Sequence, residues 1–219
     1  MNIATLALKG FPLLHLEDTA SLALQRMDEF DVQELPVVKD EYYVGLVQKE
    51  NLLDIDGKHT IATISDHLIR VGINGTAHLL NALDVIATHH ISLLPILNDH
   101  QEVVGVLPQK NILEYLAQYL GVHLPGAILV VSVNPYHYSL AELSRLVESN
   151  NAQILQMNTV FDEASGQLRI TIKINKEEID TIHATLQRYN YEVIHYFTKS
   201  PIVNDIEDHY HHLMNYLDV

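Results

Sequence analysis

Cysteine and tryptophan are both absent from the 219 residues. Without a thiol there is no disulfide, no zinc–thiolate site and no thiol nucleophile, and the expected setting is a reducing one, the cytoplasm. Positive charge is scarce as well. Thirteen Lys and Arg stand against 28 Asp and Glu, a formal net charge of −15, which repels a phosphate backbone at long range and argues against nucleic acid as a partner. Met1 to Leu8 is apolar but lacks a basic flank and is too short for a secretory core. No uncharged run approaches the roughly 18 residues of a bilayer span, so no membrane is expected either. Catalytic signatures are missing too: there is no phosphate-cradling Gly-x-Gly-x-x-Gly or Walker loop, no Ser/His/Asp arrangement and no His-Glu-x-x-His. The expectation is a protein that is not an enzyme.

What is present is a repeat. Leu35-Pro36-Val37-Val38 leads to Val44-Gly45-Leu46-Val47 and then Asn51-Leu52-Leu53; later, Leu94-Pro95-Ile96-Leu97 leads to Val104-Gly105-Val106-Leu107 and Asn111-Ile112-Leu113. The prolines are 59 residues apart and each glycine precedes its asparagine by six. Self-similarity on that scale marks a duplicated structural unit. Leu22, Ala23, Met27 and Phe30 recur at helical spacing behind the short polar pair Asp18-Thr19, which can cap a helix. Lys39-Asp40-Glu41 splits two apolar runs as a hairpin turn would. In the second copy Thr76 precedes Leu79, Leu83, Ile86 and Ala87, the turn is Asn98-Asp99-His100, and Ile112, Leu113, Leu116 and Leu120 continue as an amphipathic helix. Each unit reads helix, strand, strand, helix. One sheet face would stay uncovered in a single unit, so the two copies are expected to bury those faces together.

These paired motifs, over roughly residues 1 to 120, resemble the CBS domain, a regulatory module found as tandem pairs that bind adenosine-type nucleotides between copies. The resemblance implies AMP, ADP, ATP or S-adenosylmethionine as a regulatory ligand, with Gly45, Gln48, Asn51, Gly105 and Asn111 as the candidate binding residues. Nucleotide-binding members carry Thr or Ser three residues after the glycine and Asp three residues further on. Here those positions are Gln48 and Pro108, then Asn51 and Asn111. Proline has neither N–H nor hydroxyl, and Asn in place of Asp loses the charge assistance that roughly doubles a hydrogen bond's strength; weak binding is expected. Asn51 and Asn111 also fall where a helix begins, and N-capping is the favoured reading, with ribose contact second. The glycines read first as places of close backbone approach.

Gly121 to Gly126 combines Pro and Gly between periodic regions and reads as a boundary. Beyond it come Ala127 to Val133 as a strand, and a helix opened by the capping box Ser139-Leu-Ala-Glu142, whose two side chains would satisfy each other's backbone donors. A hairpin from Gln153 to Ile174 turns at Asp162 to Gly166, a helix carries Ile179, Ile182 and Leu186, and the last strand is Glu192 to Phe197. The order βαββαβ is the ferredoxin-like plan. After a CBS pair it resembles the ACT domain, a small-molecule-sensing and dimerising module, whose ligand loop would correspond to Asn134, Tyr138 and Ser139; the usual glycine of that loop is missing.

The expected fold is therefore α+β: CBS repeats at 1–60 and 61–122, an ACT-like ferredoxin fold at 127–199 and an amphipathic C-terminal helix at 201–219. Asp205, Asp208, His209 and His212 fall at helical spacings that permit a metal site, but Ile206, Tyr210, Leu213 and Leu217 form an apolar stripe beside them and a hydrated polar face explains the pattern better. No metal is expected. Both resemblances imply a homodimer acting as a non-catalytic sensor that regulates a partner protein. The alternative is a ligand-free dimeric interaction scaffold.

Overall fold

The computed structural model describes residues 2–198, and the chain divides into two compact units, Met1–Tyr119 and Leu120–Val219. In the first, β1 (Leu14–His15), α1 (Ala20–Phe30), β2 (Glu34–Lys39), β3 (Tyr42–Gln48) and α2 (Lys49–Leu53) are followed by their counterparts β4 (Ile73–Asn74), α3 (Leu79–His89), β5 (Leu93–Leu97), β6 (Val103–Pro108) and α4 (Gln109–Tyr119). The Leu22 N–H donates to Thr19 Oγ1 at 3.3 Å, which starts α1 as its polar lead-in requires. Both α1 and α3 stop on a left-handed residue, Asp31 and His90, each with φ of 52°. The first hairpin turns on Asp40 and Glu41, at φ of 48° and 72°; two consecutive left-handed residues give the turn whose twist matches that of paired strands.

The sheets have one strand more than the expected pair. β1 runs parallel to β2, with Leu14 opposite Val37 and His15 opposite Val38, and β4 runs parallel to β5, with Ile73 opposite Ile96 and Asn74 opposite Leu97. A two-residue strand shows no alternation in sequence. These short strands explain the prolines. Proline has no N–H to give a ladder, and Pro36 and Pro95 each sit one residue before the parallel pairing starts, where the central strand is paired on its other side only.

Each repeat completes its core with a segment from outside its own strand–helix run. Ile3 and Leu6 pack among Leu79, Ala82, Leu94 and Leu107 of the second repeat, while Ile61, Ile64 and Leu68 pack among Ala23, Met27, Leu35 and Val47 of the first. Backbone bonds fix the exchange. Leu8 and Val106 exchange N–H···O bonds of 2.9 and 3.1 Å, and Leu46 and Ile69 exchange bonds of 2.9 and 3.0 Å. Between repeats, the buried Glu34 carboxylate accepts from the Ser92 backbone N–H at 3.2 Å and from the Ser92 hydroxyl.

The second unit follows the ferredoxin-like plan. β7 (Ile128–Val133), α5 (Leu140–Glu148), β8 (Ile154–Asp162), β9 (Gln167–Ile174), α6 (Asp180–Arg188) and β10 (Glu192–Phe197) form an antiparallel sheet in the order β10-β7-β9-β8. Leu129, Val131, Ile170, Ile172 and Ile174 alternate onto one sheet face and meet Leu143, Val147, Ile182 and Leu186 of the helices. The capping box of α5 is half right. The Glu142 N–H donates to Ser139 Oγ at 3.3 Å, but the Ser139 N–H goes to the Tyr191 hydroxyl, also at 3.3 Å, and that hydroxyl lies 3.2 Å from Glu142 Oε2. A buried tyrosine from across the fold has taken the place of the reciprocal glutamate bond. The expected helix at 201–219 and its Asp205, Asp208, His209 and His212 lie outside the described residues.

Candidate functional site

The two motif glycines are places of close approach. A Cβ on Gly45 would lie 2.9 Å from Leu68 Cβ and 3.2 Å from the Ile69 carbonyl oxygen, and one on Gly105 would lie 2.8 Å from Ala7 Cβ and 2.9 Å from the Leu8 carbonyl oxygen. Both distances are below ordinary van der Waals contact, so a side chain there would push away the segment that crosses from the other half of the unit. Each glycine thus seats the segment that leads into a repeat.

The capping expectation for the asparagines is corrected. Gln48 holds the N-cap position of α2, without a side-chain bond, and Asn51 is the third helical residue; Asn111 is the third residue of α4. A third-position side chain is already inside the first turn, past the geometry from which an N-cap accepts. Asn111 has a more pointed feature: its Oδ1 is sealed from solvent and has no hydrogen-bond partner. An unpaired buried carbonyl is costly.

Immediately before that asparagine, Lys110 and Pro108 line a cleft of about 330 Å³ together with Leu8, Lys9, Gly10, Phe11, Phe30 and Val32. Three parts of the first unit meet here: the N-terminal lead-in, the end of α1, and the β6–α4 junction. Phe11 and Phe30 stack at a tilt, ring centroids 5.1 Å apart. The bridge of Leu8 to Val106 carries Lys9 and Phe11 to this junction. Two lysines, two aromatic rings and a helix start can receive a flat base at one end and an anionic group at the other. Sequence reading placed Pro108 here as a motif position but missed Lys9, Phe11, Phe30 and Lys110. A signal existed in the lead-ins, where Lys9 follows bridge residue Leu8 as Arg70 follows bridge residue Ile69.

The loop residues of the second unit are spent on local structure. Asn134 caps a single 3-10 turn by accepting from the Tyr136 N–H at 3.0 Å, Tyr138 packs partly against the core, and Ser139 caps α5. Among the described residues no group of three His, Asp or Glu side chains is placed to hold a metal, and no helix is long and apolar enough to cross a membrane.

Comparison with known proteins agrees with the repeat. The model of the CBS domain family matches residues 69–118. Among solved structures, a CBS domain pair/ACT domain protein from Thermotoga maritima is 22% identical with a TM-score of 0.50, covering 55% of this chain and 99% of that one. A protein from Vibrio cholerae assigned to acetoin utilization is 16% identical over 56% of this chain and 95% of that one, with a TM-score of 0.49. A CBS domain pair solved with 5′-methylthioadenosine and S-adenosyl-L-methionine is 17% identical over 54% and 98%, with a TM-score of 0.47. The domain order, together with Ile112 to Gly121 leading into Ser139-Leu-Ala-Glu-Leu, also resembles the bacterial acetoin-utilisation accessory protein. The second copy of the duplicated unit thus matches the CBS domain family over residues 69–118, and a unit with the ferredoxin-like strand order follows it.

Proposed function

We propose that this chain is a non-catalytic sensor that takes an adenosine-type nucleotide in the cleft of Lys9, Phe11, Phe30, Pro108 and Lys110. One observation carries the reading: in a chain of net charge −15, two ammonium groups line a single cleft that also holds a pair of phenyl rings. The lysines receive phosphate and the rings receive the base. Pro108 contributes no donor, so the phosphate depends on the lysines. Cytoplasmic location and a homodimer belong to the same proposal, in which a ligand acts by binding one arrangement of domains better than another.

Calorimetric titration with AMP, ADP, ATP and S-adenosylmethionine tests it. The phosphate-bearing ligands are expected to bind in the micromolar range and to outcompete S-adenosylmethionine, whose sulfonium is repelled by the lysines. Lys110→Ala should weaken AMP about tenfold, the scale of one charge-assisted bond. No heat from any of the four at millimolar concentration rejects the nucleotide reading. The scaffold reading would then take its place, supported by Leu53 and Leu113, 65% and 70% exposed at equivalent positions of α2 and α4. Light scattering on the same samples should give a dimer; a monomer at micromolar concentration counts against both assemblies.

A further inference from the structure

The second unit contains a cavity of its own, independent of the nucleotide cleft. Because the helices cover the face carrying Leu129, Ile172 and Ile174, the alternate residues of each strand face the other way. Strand register places four of these in one row across the sheet. Phe197 of β10 is opposite Ile128 of β7, Ile128 is opposite Lys173 of β9, and Lys173 is opposite Gln156 of β8. The loop from Leu120 to Gly126 lines this row, and the half-open space between them is about 740 Å³, with Thr171 and Glu177 also on its wall. That volume suits a small organic ligand.

Lys173 is the unusual member. It is only 7% exposed, and its ammonium donates to the carbonyl oxygens of Gly121 at 2.6 Å and Val122 at 2.8 Å. An ammonium has three donors, so two are used to hold the loop. No carboxylate among the described residues lies within ion-pair distance of it. A buried cation satisfied only by neutral carbonyls is an incomplete arrangement, because burial of a charge is offset best by an opposite charge.

We propose that this cavity binds a small monocarboxylate with an apolar body. The carboxylate accepts from the remaining Lys173 N–H and from the Thr171 hydroxyl, while Phe197 and Ile128 receive the hydrocarbon end. Glu177, exposed on the wall of the same cavity, repels a second negative charge and so selects against dianions and phosphate.

The test is titration of the ¹⁵N-labelled full chain with benzoate, with benzamide as the neutral isostere and with inorganic phosphate. Benzoate should shift the amides of Ile128, Thr171, Lys173 and Phe197, and bind at least about tenfold more tightly than benzamide, as a charge-assisted contact requires. Phosphate should leave these amides in place. Lys173→Met should abolish the benzoate shifts. Because that change also releases the loop, Thr171→Val serves as the second variant: it keeps the clamp and should still weaken benzoate severalfold. Equal response to benzoate and benzamide, phosphate binding as tight as benzoate, no shift at about 10 mM benzoate, or unchanged benzoate affinity in Thr171→Val would overturn the proposal. The nucleotide reading is scored on other amides, those of residues 1–119, so either idea can fail alone.

Discussion

Tyr43 shows what one side chain of β3 does for the first unit. Its hydroxyl donates to the Val71 carbonyl at 2.6 Å, tying a strand of the first repeat to the lead-in of the second. Burial pushes its ionisation well above the ordinary tyrosine value of 10.0. The sign follows from linkage. The folded state keeps the phenolic proton where the unfolded chain releases it, so the contribution is whole below about pH 10 and is lost as pH rises past it. Tyr191 is shifted the same way, chiefly by burial. Denaturant titrations across the alkaline range should therefore show stability falling above about pH 10, and Tyr43→Phe should fall less steeply than the parent. An identical slope in the variant would show that Tyr43 does not carry the alkaline loss. The hydroxyl's target was not legible beforehand, because Val71 is a neighbour only after the chain has crossed between repeats.

At the level of elements, the junctions between strand and lead-in segment control the first unit. Gly105 belongs to β6 and faces the backbone of residues 7 and 8. Gly105→Ala should cost about 1 to 3 kcal/mol, the range for forcing extra volume into a packed site, measured as a lower midpoint in urea. It should also weaken nucleotide, since Lys9 and Phe11 ride on the displaced segment. A stability equal to the parent would mean that the segment is loosely held. The strands, their hairpins and the helices on either side were legible because each carries its own periodicity: Leu22 to Phe30 at helical spacing, Tyr43 to Val47 as an apolar run, and Ser139 as a helix start. β1 and β4 were not, because two residues have no period. The asparagines sit three positions past the cap they were expected to be, since Lys49 and Gln109 begin helix directly from the preceding strand.

For the whole molecule, the exchange of segments between repeats makes a distinctive prediction. Ile3 is fully buried in the core of the second repeat although it lies 76 positions before Leu79, the first residue of α3. Ile3→Ala should destabilise the first unit by about 2 to 5 kcal/mol. Hydrogen exchange should locate the early loss of protection in α3 and β5 and leave α1 and β2 comparatively protected. Loss centred on α1 would contradict the exchange of cores.

By itself the sequence determined the duplication, the βαββαβ order of the second unit and the acidic, thiol-free character of the protein, since each is written in local spacing or composition. Tertiary structure decided everything that depends on partners distant in the chain. It chose Lys9 and Phe11 to join Lys110 at a cleft, gave the Ser139 N–H to Tyr191, turned Asn111 into a buried unpaired acceptor, and buried Lys173 beneath the carbonyls of its own preceding loop. The physical reason is the same in each case: a residue's type and spacing fix what it can bond, whereas the neighbour that accepts the bond is supplied by the path of the chain.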